Sequence, residues 1–137
     1  MSVKKAAAVQ ITNAKGEYLL LQRSAQAKHH AGMWEGVGGH VEDDESFQET
    51  IIREAREEVG LDLDPSKIKL LYERTFDDDE RPHAYRVGIF TASTLQQPTI
   101  GEPEIFSQYR WVKPADVGAL NLAPYVVEDF TRLGVLT

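Results

Sequence analysis

The stretch REAREEVG, residues 53–60, gathers three glutamates at spacings that share one face of an α-helix. Glu54 precedes Glu57 by three residues and Glu58 by four. Like charges so placed destabilise a helix by roughly 0.2–0.5 kcal/mol per pair. Glu57 and Glu58 also fall near the C-terminal end of the predicted helix, where its dipole disfavours anions. We expect a chain to keep such a cost only where the clustered charge has a use.

The surrounding residues predict an amphipathic helix from Ser46 to Val59. Ser46 followed by Glu49 has the pattern of a capping box, and Gly60 has the form of a helix terminator. The apolar residues at helical spacing are Phe47, Ile51, Ile52, Ala55 and Val59. The three glutamates lie beside this apolar stripe, so we expect their carboxylates at the edge of the core.

The remaining sequence predicts strands on both sides of this helix, without strict alternation of strands and helices. The predicted strands cover residues 6–12, 17–23, 37–41, 67–76, 83–93 and 109–113, and further helical segments cover 113–120 and 124–136. Residues 24–36 predict a loop that borders a pocket, and the acidic run 77–82 predicts a turn. This order of elements favours an α/β domain with a mixed central sheet.

The size of the chain predicts a single domain spanning residues 1–137. Hydrophobic residues make up 42% and charged residues 27%, which is typical of a soluble globular protein. No apolar run approaches the roughly 18 residues of a membrane span, and the first residues lack the pattern of a signal peptide. We therefore expect a cytoplasmic protein without membrane contact.

The charge balance limits the partners of the protein. A formal net charge of −7 argues against stable binding of nucleic acids, which depends on clustered Lys and Arg. A phosphate ligand would have to be held locally, by bound cations or a few arginines. The chain has no cysteine, which excludes disulfides, thiolate metal sites and cysteine nucleophiles.

The loop before the helix supplies the other half of a predicted metal site. Its sequence GVGGHVEDDES, residues 36–46, contains paired glycines that allow close approach of the backbone to a ligand. A backbone carbonyl beside three carboxylates is a set of oxygen ligands alone. Hard divalent cations, Mg²⁺ above all, prefer such ligands and leave further positions to water and substrate phosphates.

Residues 39–61 resemble a complete Nudix box, G-x5-E-x7-R-E-U-x-E-E-x-G-U, in which U is apolar. The matching residues are Gly39, Glu45, Arg53, Glu54, Ala55, Glu57, Glu58, Gly60 and Leu61. The segments LLLQR at 19–23 and YRWVKPADV at 109–117 are similar to the MutT-like branch of this family. The resemblance implies a Nudix-type α/β/α sandwich that hydrolyses a diphosphate linkage in a nucleoside diphosphate derivative with Mg²⁺ or Mn²⁺.

The resemblance also implies roles for individual residues. Glu54, Glu57 and Glu58 would be metal ligands, with the Gly38 carbonyl as a further candidate. Glu54 or Glu57 would orient or deprotonate the attacking water, and Arg53 would hold a glutamate in position by ion pairing. The family's box glutamate at position 45 is expected to bond to the loop and helix rather than to substrate.

Other candidate residues have competing structural explanations. Arg23 would clamp a phosphate or lie on the surface, and Trp34 and Phe76 would stack on a nucleobase or pack in the core. Glu102 and Glu104 occupy the place of a late-loop glutamate that binds metal or acts as a base in some relatives, or they belong to a solvated turn.

The predicted function is hydrolysis of a small nucleotide, in the first place a nucleoside triphosphate. The alternatives are hydrolysis of ADP-ribose or another nucleotide sugar, and a non-catalytic sensor with a Nudix fold. Isopentenyl diphosphate isomerase, a related fold, requires a cysteine that this chain lacks. A homodimer, frequent in the family, stays open.

Overall fold

The computed structural model describes residues 3–77 and 84–137, which form seven strands, two α-helices and two short 3₁₀ helices. The strands are β1 (Val3–Thr12), β2 (Tyr18–Arg23), β3 (Trp34–Glu35), β4 (Val37–His40), β5 (Lys69–Asp77), β6 (Ala84–Ser93) and β7 (Phe106–Val112). The helices are α1 (Phe47–Val59) and α2 (Pro124–Arg132), and the 3₁₀ helices are Pro65–Lys67 and Pro114–Ala119. In this part of the chain every helix is too short or too polar to span a lipid bilayer.

Strand β1 lies at the centre of one mixed sheet. On one side it pairs in parallel with β6 over its whole length, from Val3 opposite Ala84 to Thr12 opposite Ser93. On the other side it pairs antiparallel with β4 and, at its end, with β2. Strand β5 extends the sheet beyond β6, and β3 and β7 both pair antiparallel with β2. The prediction of a mixed sheet is confirmed.

Alternate residues of the sheet face different helices. Leu19 and Leu21 share a core cluster with Ile51 and Val59 of α1, whereas Leu20 belongs to a second cluster that includes residues of α2. Helices therefore cover both faces of the sheet, as in an α/β/α sandwich. Burial of one such Ile or Val side chain contributes about 1.5–3 kcal/mol, so the packing of α1 outweighs the repulsion among its glutamates.

Both ends of α1 are capped as predicted. The Ser46 hydroxyl accepts a hydrogen bond from the Glu49 N–H, and the Glu49 carboxylate accepts one from the Ser46 N–H. Gly60 ends the helix in the left-handed conformation, with φ 64°. Beyond it, the Gly101 N–H donates to the Glu58 carbonyl at 2.9 Å. This bond fixes the loop before β7 against the C-terminal end of α1.

Several predicted boundaries differ from the structure. The predicted loop at 24–36 contains β3, which is too short for its alternation of buried and exposed residues to be recognised. Strand β7 begins at Phe106 instead of residue 109 because its pairing with β2 continues past a register shift. The predicted acidic turn at 77–82, from residue 78 on, and His83 at the start of the next predicted strand lie outside the described residues.

The final helix is shorter than predicted. Helix α2 ends at Arg132 because Gly134 adopts a left-handed conformation with φ 78°. Val135 and Leu136 then pack back onto the same core cluster as α2. The spacing of these apolar residues fits a further helical turn, which is why the sequence predicted a helix as far as residue 136.

Candidate active site

A cavity of about 420 Å³ lies among the sheet, both α-helices and the loop before β7. One part of its lining consists of carboxylates of α1 together with Glu102, which we call the acidic end. Elsewhere its wall carries the aromatic rings of Phe76, Tyr85 and Tyr125, which we call the aromatic end. The cavity thus joins a site of concentrated negative charge to a site suited to a flat ring.

Glu58 is a buried carboxylate of the acidic end, with 5% of the residue exposed. The Gly38 N–H donates to its Oε1 at 3.2 Å. Burial raises the pKa of Glu58 well above its ordinary value, and the charges of Glu54, Glu35 and Glu102 raise it further. The protein itself therefore disfavours the ionised form of this side chain.

The other carboxylates of this end are repelled in the same way. Burial raises the pKa of Glu54, and the charge of Glu57 adds to this effect, whereas Arg53 opposes it. Burial and the charges of Glu57 and Glu104 raise the pKa of Glu102. Glu102 lines the cavity, whereas Glu104 is exposed and does not line it.

Arg53 connects the carboxylates of α1 to the preceding loop. Its Nη1 lies 2.7 Å from Glu54 Oε1 and 3.3 Å from Glu57 Oε2. Its Nε donates to Glu45 Oε2 at 2.7 Å, and its Nη2 donates to the His40 carbonyl at 3.0 Å. Hydrogen bonding to Arg53 lowers the pKa of Glu45 to about 2. Arg53 thus contacts the glutamates that it is predicted to position, and Glu45 bonds to the loop and helix.

The donor groups of the acidic end suit a hard divalent cation. Glu54, Glu57 and Glu58 offer oxygen atoms alone, and they repel one another in the absence of a cation. Gly39 leaves the room that Glu54 occupies, since a Cβ built at this glycine would lie 2.5 Å from the Glu54 carboxyl carbon. Among residues 3–77 and 84–137 no three such side chains are already grouped as a metal site; Arg53 engages two of the three carboxylates instead.

Arg23 lies in the cavity wall, where it is held by protein groups. Its Nη1 lies 2.7 Å from Glu35 Oε1, and its Nε donates to the His29 carbonyl at 2.7 Å. The Tyr125 hydroxyl donates to the other oxygen of Glu35. The sequence did not single out Glu35 or Tyr125; the position of Glu35 in a loop expected to border a pocket was the signal available for it.

The aromatic end contains one of the two predicted stacking residues. The Phe76 ring lies 5.2 Å from the Tyr125 ring, centroid to centroid, in an edge-on arrangement. Trp34 is buried in the core cluster between the sheet and α2 and does not line the cavity. The structure therefore brings Phe76, and not Trp34, to a place where it can contact a base.

A buried ion pair that the sequence did not reveal closes the side of the cavity next to α2. Arg74 donates to both carboxylate oxygens of Asp129, at 2.8 and 2.9 Å, and the Tyr72 hydroxyl donates to the same carboxylate at 2.6 Å. Burial and the bond to Asp129 raise the pKa of Tyr72. The partners are 55 residues apart in the chain, so no local pattern could indicate them.

Comparison with known proteins places the chain among relatives with this architecture. The family model described as the NUDIX domain matches residues 1–132. The chain is 35% identical over 111 residues to the CTP pyrophosphohydrolase of Escherichia coli, covering 77% of this chain and 81% of that protein. It is 34% identical over 132 residues to the nucleoside triphosphatase NudI of Escherichia fergusonii, covering 88% and 90%.

A solved structure has the same fold. The MutT NUDIX hydrolase from Burkholderia pseudomallei superimposes with a TM-score of 0.84 at 22% identity, over 97% of this chain and 99% of that one. The chain therefore belongs to the NUDIX family. The predicted α/β/α sandwich is confirmed, as is the prediction of a hydrolase.

Proposed function

We propose that this protein hydrolyses nucleoside triphosphates to nucleoside monophosphates and pyrophosphate, with Mg²⁺ or Mn²⁺ as cofactor and residues 1–137 as one catalytic domain. The observation that carries the proposal is the burial of Glu58 among other carboxylates in a cavity that also contains an aromatic end. The two relatives described above, which act by name on CTP and on nucleoside triphosphates, support this substrate class.

Each part of the cavity has a role in this proposal. Glu54, Glu57 and Glu58 hold the cation together with the Gly38 carbonyl. When bound, the cation neutralises phosphate charge and lowers the pKa of a bound water. Arg53 is a positioning residue, because its bonds to Glu54 and Glu57 set the orientation of both carboxylates. Hydrolysis consumes one water, whose oxygen forms a new P–O bond while the bridging P–O bond between the α- and β-phosphates breaks.

The remaining substrate contacts lie along the cavity wall. Glu54 or Glu57 orients or deprotonates the water. The charge of Glu57 raises the pKa of Glu102, so the two carboxylates interact and Glu102 influences that step. Arg23 contacts a phosphate oxygen with Nη2, since Glu35 takes Nη1 and the His29 carbonyl takes Nε. Phe76 packs against the base, since its ring faces the cavity beside Tyr125.

The test is a hydrolysis screen with nucleoside triphosphates, ADP-ribose and dinucleoside polyphosphates, in Mg²⁺, in Mn²⁺ and in EDTA. We expect Glu57→Gln to lower kcat on the best substrate by at least about two orders of magnitude, as for other losses of a key electrostatic group. Glu73→Gln is the matched control, since Glu73 lies on the surface in an ion pair with Arg86. Thermal denaturation of both variants verifies folding.

Two results would contradict the proposal. Equal turnover of wild type and Glu57→Gln would remove the assigned role of the acidic end. Faster hydrolysis of ADP-ribose than of any nucleoside triphosphate would contradict the proposed substrate class, while the proposed role of the cation would stand.

A further inference from the structure

Gln10 is a polar residue in the floor of the cavity, on a strand that is otherwise apolar over the same stretch. Successive side chains of β1 point to opposite faces of the sheet. Val9 and Ile11 belong to the core cluster beneath α1, so Gln10 faces the other way, with Ala6 and Ala8, and all three line the cavity. The two alanines leave open space, and Gln10 extends its carboxamide beside that space.

The carboxamide of Gln10 has an unused acceptor. The residue is 2% exposed, and among residues 3–77 and 84–137 its Oε1 has no hydrogen-bond partner. A buried carbonyl without a partner destabilises a folded protein, whereas an apolar side chain of equal size would not. The Oε1 atom of Gln10 therefore adds no hydrogen bond that would stabilise the described part of the fold. A ligand that donates a hydrogen bond would satisfy it once a rotation of the carboxamide turns this buried oxygen toward the cavity.

The neighbouring backbone is shaped to accommodate this amide. A Cβ built at Gly36 would lie 3.0 Å from Gln10 Oε1 and 3.1 Å from the Val9 carbonyl. Gly36 follows Glu35, which bonds to Tyr125, and the Tyr125 ring packs against Phe76. A continuous series of contacts thus connects the amide to the aromatic end of the cavity.

The ion pair that lines the cavity next to α2 is satisfied within the protein. Arg74 and Asp129 bond to each other, and Tyr72 completes the set. The hydrogen bonds among these three side chains would have to break before any of them could form a hydrogen bond to a ligand. Gln10 can accept a bond from a ligand without losing one.

We propose that Gln10 is a specificity-determining residue whose Oε1 accepts a hydrogen bond from the exocyclic amino group of the nucleobase. The inference rests on the proposed function, since it concerns the base of the same nucleotide substrate. It assigns the site to cytosine or adenine, whose amino groups stand where uracil and hypoxanthine carry an oxo group. A site that hydrogen-bonds a substrate group discriminates strongly against an analogue that lacks the group.

Two matched substrate pairs, CTP against UTP and ATP against ITP, test this assignment through kcat/KM. We expect wild type to favour the amino member of at least one pair by about tenfold or more, and Gln10→Met to bring that ratio close to one. Gln108→Met is the matched control; Gln108 is exposed on β7 and bonds to Gln22, away from the cavity. It should keep the wild-type ratio.

Two further measurements separate this inference from a packing role and from the proposed hydrolysis. The melting temperature of Gln10→Met should not fall, because Gln10 Oε1 has no hydrogen-bond partner to lose among residues 3–77 and 84–137. Calorimetric binding of CMP, UMP, AMP and IMP in Mg²⁺ reports the base preference without any reaction. A wild type that hydrolyses no triphosphate would refute the proposed function, while a monophosphate preference lost in Gln10→Met would still support the role of Gln10.

Three results would overturn the inference. Wild type could show no preference for the amino member in either pair, in hydrolysis and in binding alike. It could prefer UTP or ITP, which would mean that the amide donates instead of accepting. The preference could also survive unchanged in Gln10→Met, which would leave Gln10 as a packing residue.

Discussion

At the scale of single residues, the carboxylates of the acidic end destabilise the cation-free protein and provide ligands for a cation. Glu58 is buried next to other carboxylates, and its Oε1 accepts a hydrogen bond from the Gly38 N–H. Since the pKa of Glu58 is raised on folding, its ionisation opposes folding of the cation-free protein above the pKa of the unfolded chain. A bound cation would reverse this effect, because it favours the ionised carboxylate.

Replacing Glu58 should therefore separate stability from function. In EDTA at pH 7 we expect Glu58→Gln to raise the melting temperature by roughly 2–5 °C, as for a gain of about 1 kcal/mol in a domain of this size. Added Mg²⁺ should stabilise wild type more than the variant. Differential scanning calorimetry makes the comparison, with Glu73→Gln as the surface control. A lower melting temperature of Glu58→Gln in EDTA would contradict the argument.

At the scale of elements, Arg53 and Glu45 lock the loop after β4 onto the first turns of α1. The Arg53 guanidinium bonds to Glu45 through both Nε and Nη2. Glu45 also accepts from the Glu42 N–H and from the Thr50 hydroxyl. These bonds favour the ionised form of Glu45, so its pKa is depressed to about 2 in the folded protein.

This lock should fail in acid. A depressed pKa gives stability that is complete above the ordinary value of 4.5 and is lost as the pH falls toward about 2. We therefore expect the stability of wild type to fall more steeply than that of Glu45→Gln between these pH values. Urea denaturation at several pH values measures the difference. Parallel curves for the two proteins would show that the lock adds no acid-sensitive stability.

At the scale of the whole molecule, the pair of Arg74 and Asp129 ties the edge strand β5 to α2. Both residues are buried, at 8% and 2% exposed, in contrast to the surface pair of Arg86 and Glu73. Breaking a buried pair leaves an uncompensated charge, which costs about 3–5 kcal/mol, whereas exposed pairs contribute about 0–1 kcal/mol.

Asp129→Asn should accordingly destabilise the protein far more than the matched change Glu73→Gln. We expect a loss of about 3 kcal/mol, near the lower limit for a buried pair, since Glu128 lies 3.0 Å from Arg74 and retains part of the compensation. The double replacement Arg74→Met with Asp129→Leu should recover much of this loss. Denaturant titration measures all four proteins, and similar losses for the buried and surface variants would contradict the prediction.

The sequence predicted what is local and missed what is brought together by folding. The caps and apolar period of α1 lie within a short stretch, and the same helical spacing places Glu54, Glu57 and Glu58 together. Gln10 and Asp129, by contrast, resemble ordinary polar residues of a strand and a surface helix. Their burial depends on partners and spaces supplied by distant segments, which no single stretch of sequence records.

The parallel pairing of β1 with β6 also determines the order in which the protein is completed during synthesis. Val3 pairs with Ala84, so the middle of the sheet stays open until more than half of the chain has left the ribosome. Contacts between such distant segments form slowly, because a long loop must close first. Helix α1 is synthesised well before that moment, with its carboxylates still in water. We therefore expect the desolvation of Glu58 to occur late in folding, when the remaining native contacts are available to offset it.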